Sequence, residues 1–176
     1  MAKTHMNIKG RVTKVYRYVF YSFHYEKDVW RVFEVRNHWV TKGNFVDSGI
    51  VDAAEFEKVK LKGDRAIKQW IDEQLDGTSV TVVLIGEDTL NRPYIQYEIE
   101  QSYLRGNGLV GVHIDWLKDQ HGDYCEKGST KLKIGTNSLG YPVYFEDVAK
   151  IYCYKNDDGY NNLEQWVEEA AKSVGR

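Results

Sequence analysis

Along the chain, short runs of consecutive apolar residues alternate with segments whose apolar positions recur every three to four residues. YRYVFYSF (16–23) is rich in aromatic and β-branched side chains and reads as a buried strand. In KDVWRVFEVRNHWV (27–40), Val29, Val32, Phe33 and Val40 recur at roughly helical spacing. GIVDA (49–53) predicts a short second strand, and GDRAIKQWIDEQL (63–75) sets Ala66, Ile67, Trp70, Ile71 and Leu75 on one helical face. SVTVVLIG (79–86) is apolar on both faces, as a central parallel strand is. The next helix has Asn91 as its expected N-cap, Pro93 in its first turn, and Ile95, Ile99 and Tyr103 facing inward. GNGLVGVHI (106–114) gives a glycine stop and a fourth strand. Residues 115–142 show no clear period and are expected to form a long loop or irregular excursion, with a lid over a cleft as one role. PVYFEDVAKIYCY (142–154) holds one or two more strands, and NNLEQWVEEAAKSV (161–174) closes with Leu163, Trp166, Val167, Ala170 and Val174 in helical phase.

This alternation predicts an α/β domain: a doubly wound, mainly parallel sheet of five strands in the order 2-1-3-4-5, with helices on both faces. Ligands of such sheets bind outside the carboxyl ends of the strands, at the switch point between strands 1 and 3. Ser22, Phe23, His24 and Tyr25 leave strand 1 there, and Gly86 through Glu98 leave strand 3 beside them.

Composition narrows the class without naming the chemistry. At 176 residues, with no repeat or low-complexity linker, the chain reads as a single domain over 18–174, preceded by an N-terminal extension, 1–17. A formal net charge of −2 gives no bulk attraction to nucleic acid or anionic membrane. Apolar runs stop far short of the roughly 20 residues that span a bilayer, and the basic N-terminus lacks the apolar stretch of a secretory signal. Cys125 and Cys153 form no CxxC pair and read as free thiols in a reducing cytoplasm. His5, His24, His38, His113 and His121 show no metal-ligand spacing, so no metal is expected. Neither GxGxxG nor GxxxxGK[ST] occurs. Glu98 has two readings: solvated helix surface, or a reactive carboxylate aimed into the cleft.

The order FYSFHY, then RNHWVTK, then VTVVLIG and RPYIQYEI resembles the TIR-like family of bacterial anti-phage defence, the NAD-processing proteins of Thoeris systems. The likeness runs from about Tyr18 to Ile114. It implies a TIR fold and an enzyme that cleaves the nicotinamide–ribose bond of NAD, yielding a cyclic ADP-ribose isomer that activates a separate effector protein. It implies that Glu98 is the catalytic glutamate, closing the aromatic-x-x-x-Glu motif Tyr94-Ile-Gln-Tyr-Glu98; tyrosine stands where many TIR enzymes have tryptophan. NAD is then substrate, no further cofactor is called for, and the site is cytoplasmic. A homo-oligomer fits this reading. The alternatives are a non-catalytic TIR-like module that signals by protein–protein assembly and, more distantly, a nucleoside N-glycosidase or deoxyribosyltransferase.

The chemistry is compatible with one carboxylate. Nicotinamide in NAD is already cationic and departs without a general acid, leaving oxocarbenium character on the ribose that a nearby carboxylate stabilises. Cyclisation needs a folded substrate and little water, which aromatic walls supply. Phe23, Tyr25, Trp39 and Tyr94 are the aromatic candidates, with Ser22, His24 and Arg92 for the phosphates. Asn37 is a candidate for the pocket rim, and Asp52 for a ribose contact. Each has a plainer reading: His24 as a structural histidine, Asn37 and Trp39 as packing of the first helix, Asp52 as a turn or helix cap.

Overall fold

A computed structural model of the chain describes residues 17–42 and 58–176, the side chains of 39–42 excepted. The elements in order are β1 (Val19–Phe23), α1 (Tyr25–Lys42), α2 (Asp64–Leu75), β2 (Val80–Ile85), a 3-10 turn (Thr89–Asn91), α3 (Pro93–Leu104), β3 (Gly108–His113), β4 (Lys133–Thr136), β5 (Pro142–Tyr144), α4 (Phe145–Val148), β6 (Lys150–Cys153) and α5 (Gly159–Ser173).

β1, β2, β3 and β6 form a parallel sheet in the order β1-β2-β3-β6. This is the expected order 1-3-4-5; the expected second strand, 49–53, lies outside the described residues. Every residue of β1, β2 and β3 is buried, because helices cover both faces. Side chains alternate across the sheet. Val80, Val82 and Leu84 join Val32 and Val35 of α1 and Leu163 and Val167 of α5 in one core. Val83 and Ile85 join Ile95 and Ile99 of α3 on the other face. A third cluster, Phe20 with Ile67, Trp70, Ile71 and Leu75, seats α2 beside β1. Burying each of these large side chains is worth about 1.5–3 kcal/mol. The closest helix-to-sheet approach is at Gly108, where a Cβ would stand 2.4 Å from the Ala170 carbonyl oxygen, so α5 needs glycine there.

Three local expectations change. Asn91 belongs to the 3-10 turn, and α3 starts at Pro93 with Arg92, in extended conformation, at the cap. The buried stripe of α1 is Asp28, Arg31, Val32 and Val35, while Val29 and Phe33 are only partly covered. The segment 115–142 contains β4, which pairs antiparallel with β5; Ile134 enters the α3-side core and Gly135 meets the Tyr103 ring. Between Ile114 and β4 the chain is held by hydrogen bonds to Arg31, whose Nε donates to the Leu117 carbonyl (2.9 Å) and Nη2 to the Asp123 carbonyl (3.0 Å). No helix among the described residues is long and apolar enough to cross a membrane.

Candidate active site

The strands run in register, so Phe23, Leu84, Val112 and Tyr152 stand at one level within a residue of each strand's end, and the chain leaves all four strands at the same end of the sheet. There a cavity of about 250 Å³ opens between the end of β1 and the first turns of α3. Tyr21, Phe23, His24, Tyr25, Glu26, Trp70, Arg92, Pro93, Tyr94, Ile95 and Glu98 line it, with Lys60 at the edge.

Glu98 reaches this cavity because α3 begins at Pro93. Ile95 and Ile99 are buried one turn apart in the sheet-facing stripe, and Glu98 sits next to that stripe, directed at β1. Ser22 lies on the α3 side of β1, between Tyr21 and Phe23, and its hydroxyl donates to Glu98 Oε2 at 2.5 Å. That is the one hydrogen bond to the carboxyl among the described residues. Desolvation pushes the Glu98 pKa up to about 8, against a smaller lowering by the Ser22 hydroxyl. The side chain is half-buried, and the lining of the cavity favours the protonated carboxyl over the charged one.

Neighbouring polar groups point the same way. His24 is buried and its Nδ1 has no hydrogen-bond partner among the described residues; burial, helped by the Arg92 charge, lowers its pKa. Arg92 Nε is likewise buried without a partner among the described residues, although the same guanidinium lies 3.6 Å from Asp88. Two such nitrogens on one cavity wall are unusual, since buried polar groups are nearly always paired. Lys60 and Glu26 form an ion pair of 3.2 Å at the rim. The Tyr94 ring forms part of the wall, and its hydroxyl donates to Asp64 Oδ1 (3.2 Å) at the start of α2.

A buried network sets the wall's position. Gly86 N–H donates to Thr89 Oγ1 (2.9 Å), which contacts Asp28 Oδ2 (3.4 Å), while Asp28 Oδ1 accepts from Arg31 Nη1 (3.1 Å). Burial raises the Asp28 pKa, and the Arg31 guanidinium works against that rise. A Cβ on Gly86 would fall 2.3 Å from the Asp28 carboxylate, so glycine is required for this approach. The network joins the end of β2 to α1 and fixes the turn from which Arg92 and Tyr94 project.

Of the residues expected at the site, Phe23, His24, Tyr25, Arg92, Tyr94 and Glu98 line the cavity, and Ser22 acts through its bond to Glu98. Asn37 does not join them: it is exposed, twelve residues along α1 from Tyr25, which at 1.5 Å per residue is about 18 Å. The Trp39 side chain and Asp52 lie outside the described residues. No residue of 115–142 is among those lining the cavity. Tyr21, Glu26, Lys60 and Trp70 are lining residues that sequence reasoning passed over. Sequence reasoning also passed over the Asp28–Arg31 pair behind the wall, although two opposite charges three apart, in phase with Val32 and Val35, were a readable sign of a buried pair. Among the described residues no group of three or more His, Cys, Asp or Glu side chains is placed to hold a metal ion.

The family model for the TIR-like domain of the Thoeris protein ThsB matches residues 20–119. A protein of Bacillus cereus (strain MSX-D12), provisionally named cyclic ADP-D-ribose synthase ThsB1, is 35% identical over 187 aligned positions, which cover 85% of this chain and 97% of that protein. The matched region holds β1, the Asp28–Arg31–Thr89 network and the whole of α3 with Glu98, and the chain belongs to the ThsB family of Thoeris TIR-like proteins.

Proposed function

We propose that this protein cleaves the nicotinamide–ribose bond of NAD in the cytoplasm and closes the remainder into a cyclic ADP-ribose-type signal that acts on a separate effector protein in anti-phage defence. The observation that carries the reading is the Glu98 carboxyl, desolvated inside an aromatic-walled cavity and held by Ser22. The family relationship and the name of the Bacillus cereus relative support it.

The cavity is smaller than the roughly 300–1,000 Å³ of pockets that enclose a drug-sized ligand, so it takes one end of the dinucleotide. The nicotinamide riboside end fits best, with the ring against Phe23, Tyr25 and Tyr94 and the ribose at Glu98. Arg92, the rim Lys60 and the N–H groups at the start of α1 suit the pyrophosphate. Entry of a cationic ring favours the charged form of Glu98, so substrate itself drives the carboxyl to release its proton. The C1′–N bond then breaks with its electron pair moving to the nicotinamide ring, which leaves neutral. The positive charge left on the ribose faces the Glu98 carboxylate. A nucleophilic atom elsewhere in the same molecule attacks C1′ to close the ring; attack by water instead gives linear ADP-ribose. NAD is the substrate, and no additional cofactor takes part.

Incubating the purified protein with NAD and following nicotinamide and product mass by chromatography tests this, with extracts of phage-challenged cells run in parallel. Nicotinamide release with a product at the mass of cyclic ADP-ribose, lost in Glu98→Gln, is the expected result. Linear ADP-ribose alone would make the enzyme a hydrolase. No turnover in either setting would overturn the reading.

A further inference from the structure

A second cavity, of about 290 Å³, lies at the same end of the sheet but beyond β3 and β6, and it shares no lining residue with the first. Trp116, Leu117, Lys118 and Tyr124 come from the segment after β3. Tyr154, Lys155 and Asp158 come from the turn between β6 and α5, Tyr160 from the first turn of α5, and Glu34 from α1.

Three of its aromatic residues are about half exposed: Trp116 at 51%, Tyr124 at 48% and Tyr160 at 44%. Trp116 and Tyr124 sit with ring centroids 5.7 Å apart, tilted by 55°, so they make an angled wall and not a closed stack. Tyr160 is braced edge-on against His38, at 4.9 Å between centroids. The floor is rigid, because Tyr154 is buried and hydrogen-bonded to His38 Nδ1 at 2.7 Å. Two ammonium groups from different segments converge on one ring: Lys118 Nζ is 5.7 Å and Lys155 Nζ 5.9 Å from the Tyr124 centroid. Among the described residues neither lysine is in an ion pair. Glu34 and Asp158 add carboxylates to the same cavity.

This set of groups has a definite chemistry. Half-exposed aromatic faces take a planar ring, because stacking buries apolar area that is otherwise wetted. Two cations converging beside that ring take an anionic group attached to it. Carboxylates accept hydrogen bonds from an exocyclic amino group. We propose that this cavity is a second, non-catalytic ligand site for an aminopurine nucleotide, with the base against Trp116 and Tyr160, its phosphate on Lys118 and Lys155 over the Tyr124 ring, and its amino group on Glu34 or Asp158. The site is independent of how the Glu98 cavity is read, since it shares no side chain with it.

Tryptophan positions allow the two cavities to be read separately in the full chain, because Trp70 lines the first and Trp116 the second. The protein is labelled with 5-fluorotryptophan, its resonances are assigned with Trp70→Phe and Trp116→Phe, and AMP is titrated. The expected result is a saturable shift of the Trp116 resonance. Its dissociation constant should rise roughly tenfold or more in the Lys118→Ala, Lys155→Ala double variant and for adenosine or ribose 5-phosphate, each lacking half of the recognised chemistry. The Trp70 response should be unaltered by the lysine substitutions, and thermal melting of the double variant should match the parent, as surface lysines permit. A shift confined to Trp70, or a Trp116 shift of equal affinity in the double variant, would overturn the proposal. So would a Trp116 resonance that moves with protein concentration in the absence of AMP, since a second copy of the chain would then cover this face.

Discussion

Glu98 is a group whose environment works against its charge, and its pH behaviour follows. In the free protein its pKa is near 8, so kcat/KM should rise with pH up to about that value and then level. The profile of kcat should turn at lower pH, because bound cationic substrate favours the carboxylate. Ser22→Ala removes the hydrogen bond that lowers the pKa, so its kcat/KM profile should move to higher pH; pH–rate profiles of both proteins test this, and an unmoved profile would show that Ser22 does not act on the carboxyl. The same shift bears on stability. A folded-state pKa above the ordinary 4.5 means that the native state binds the proton more tightly than the unfolded chain does. The contribution is therefore complete below about 4.5 and is lost as pH rises through about 8. Glu98→Gln keeps a neutral side chain at all pH values. It should melt progressively higher than the parent between pH 5 and 9, with the gap approaching a few kcal/mol at about 1.4 kcal/mol per pH unit. Melting curves across that range, with no widening gap, would rule out the desolvated carboxyl.

At the scale of elements, the site depends on how the turn after β2 is tied to α1. Asp28 and Arg31 are both almost fully buried, at 2% and 3% exposure, so removing Asp28 leaves the guanidinium in the core with Asp119, at 3.7 Å, as its remaining counter-charge among the described residues. Asp28→Ala should cost about 3–5 kcal/mol, and adding Arg31→Met should recover part of it by replacing the pair with an apolar contact. Denaturant unfolding of the single and double variants checks this; equal instability of both would place the cost elsewhere. Gly86→Ala should be destabilising for a related reason, since its methyl group would meet the Asp28 carboxylate. These elements also show where sequence reasoning succeeds. The buried strands, Ile67, Trp70, Ile71 and Leu75 of α2, and Ile95 and Ile99 of α3 were legible because burial imposes a period, and the place of Glu98 at the strand-end cleft was legible from the sheet topology. Asn91 was misread as a cap because the preceding 3-10 turn is set by the Thr89 bond to Gly86, a contact no local pattern announces. β4 carries one buried residue among four and has no period to find. Lys60 and Glu26 meet only through tertiary structure.

For the whole molecule, the two faces of the sheet have separable duties. The α3 face carries Ile99 next to Glu98, and the α1–α5 face carries Leu163; both side chains are essentially fully buried. Truncating either to alanine removes similar apolar volume and should cost about 2–5 kcal/mol. The consequences for turnover should differ. Ile99→Ala leaves a void directly under α3, into which the helix relaxes, moving a carboxylate that must stand within hydrogen-bond reach of Ser22 and of the reacting ribose. A displacement of about 1 Å there is enough to cost on the order of 100-fold in rate. Leu163→Ala opens its void across the sheet, where the intact β1–β2–β3 hydrogen-bond ladder separates it from the cavity. At a temperature well below both melting transitions, Leu163→Ala should therefore keep near-parental kcat while Ile99→Ala loses most of it. Equal losses in both variants would mean that the sheet transmits strain between its faces. Equal retention would mean that α3 holds Glu98 through its polar ties, Tyr94 to Asp64 and Tyr97 to Asp72, and not through its apolar seat.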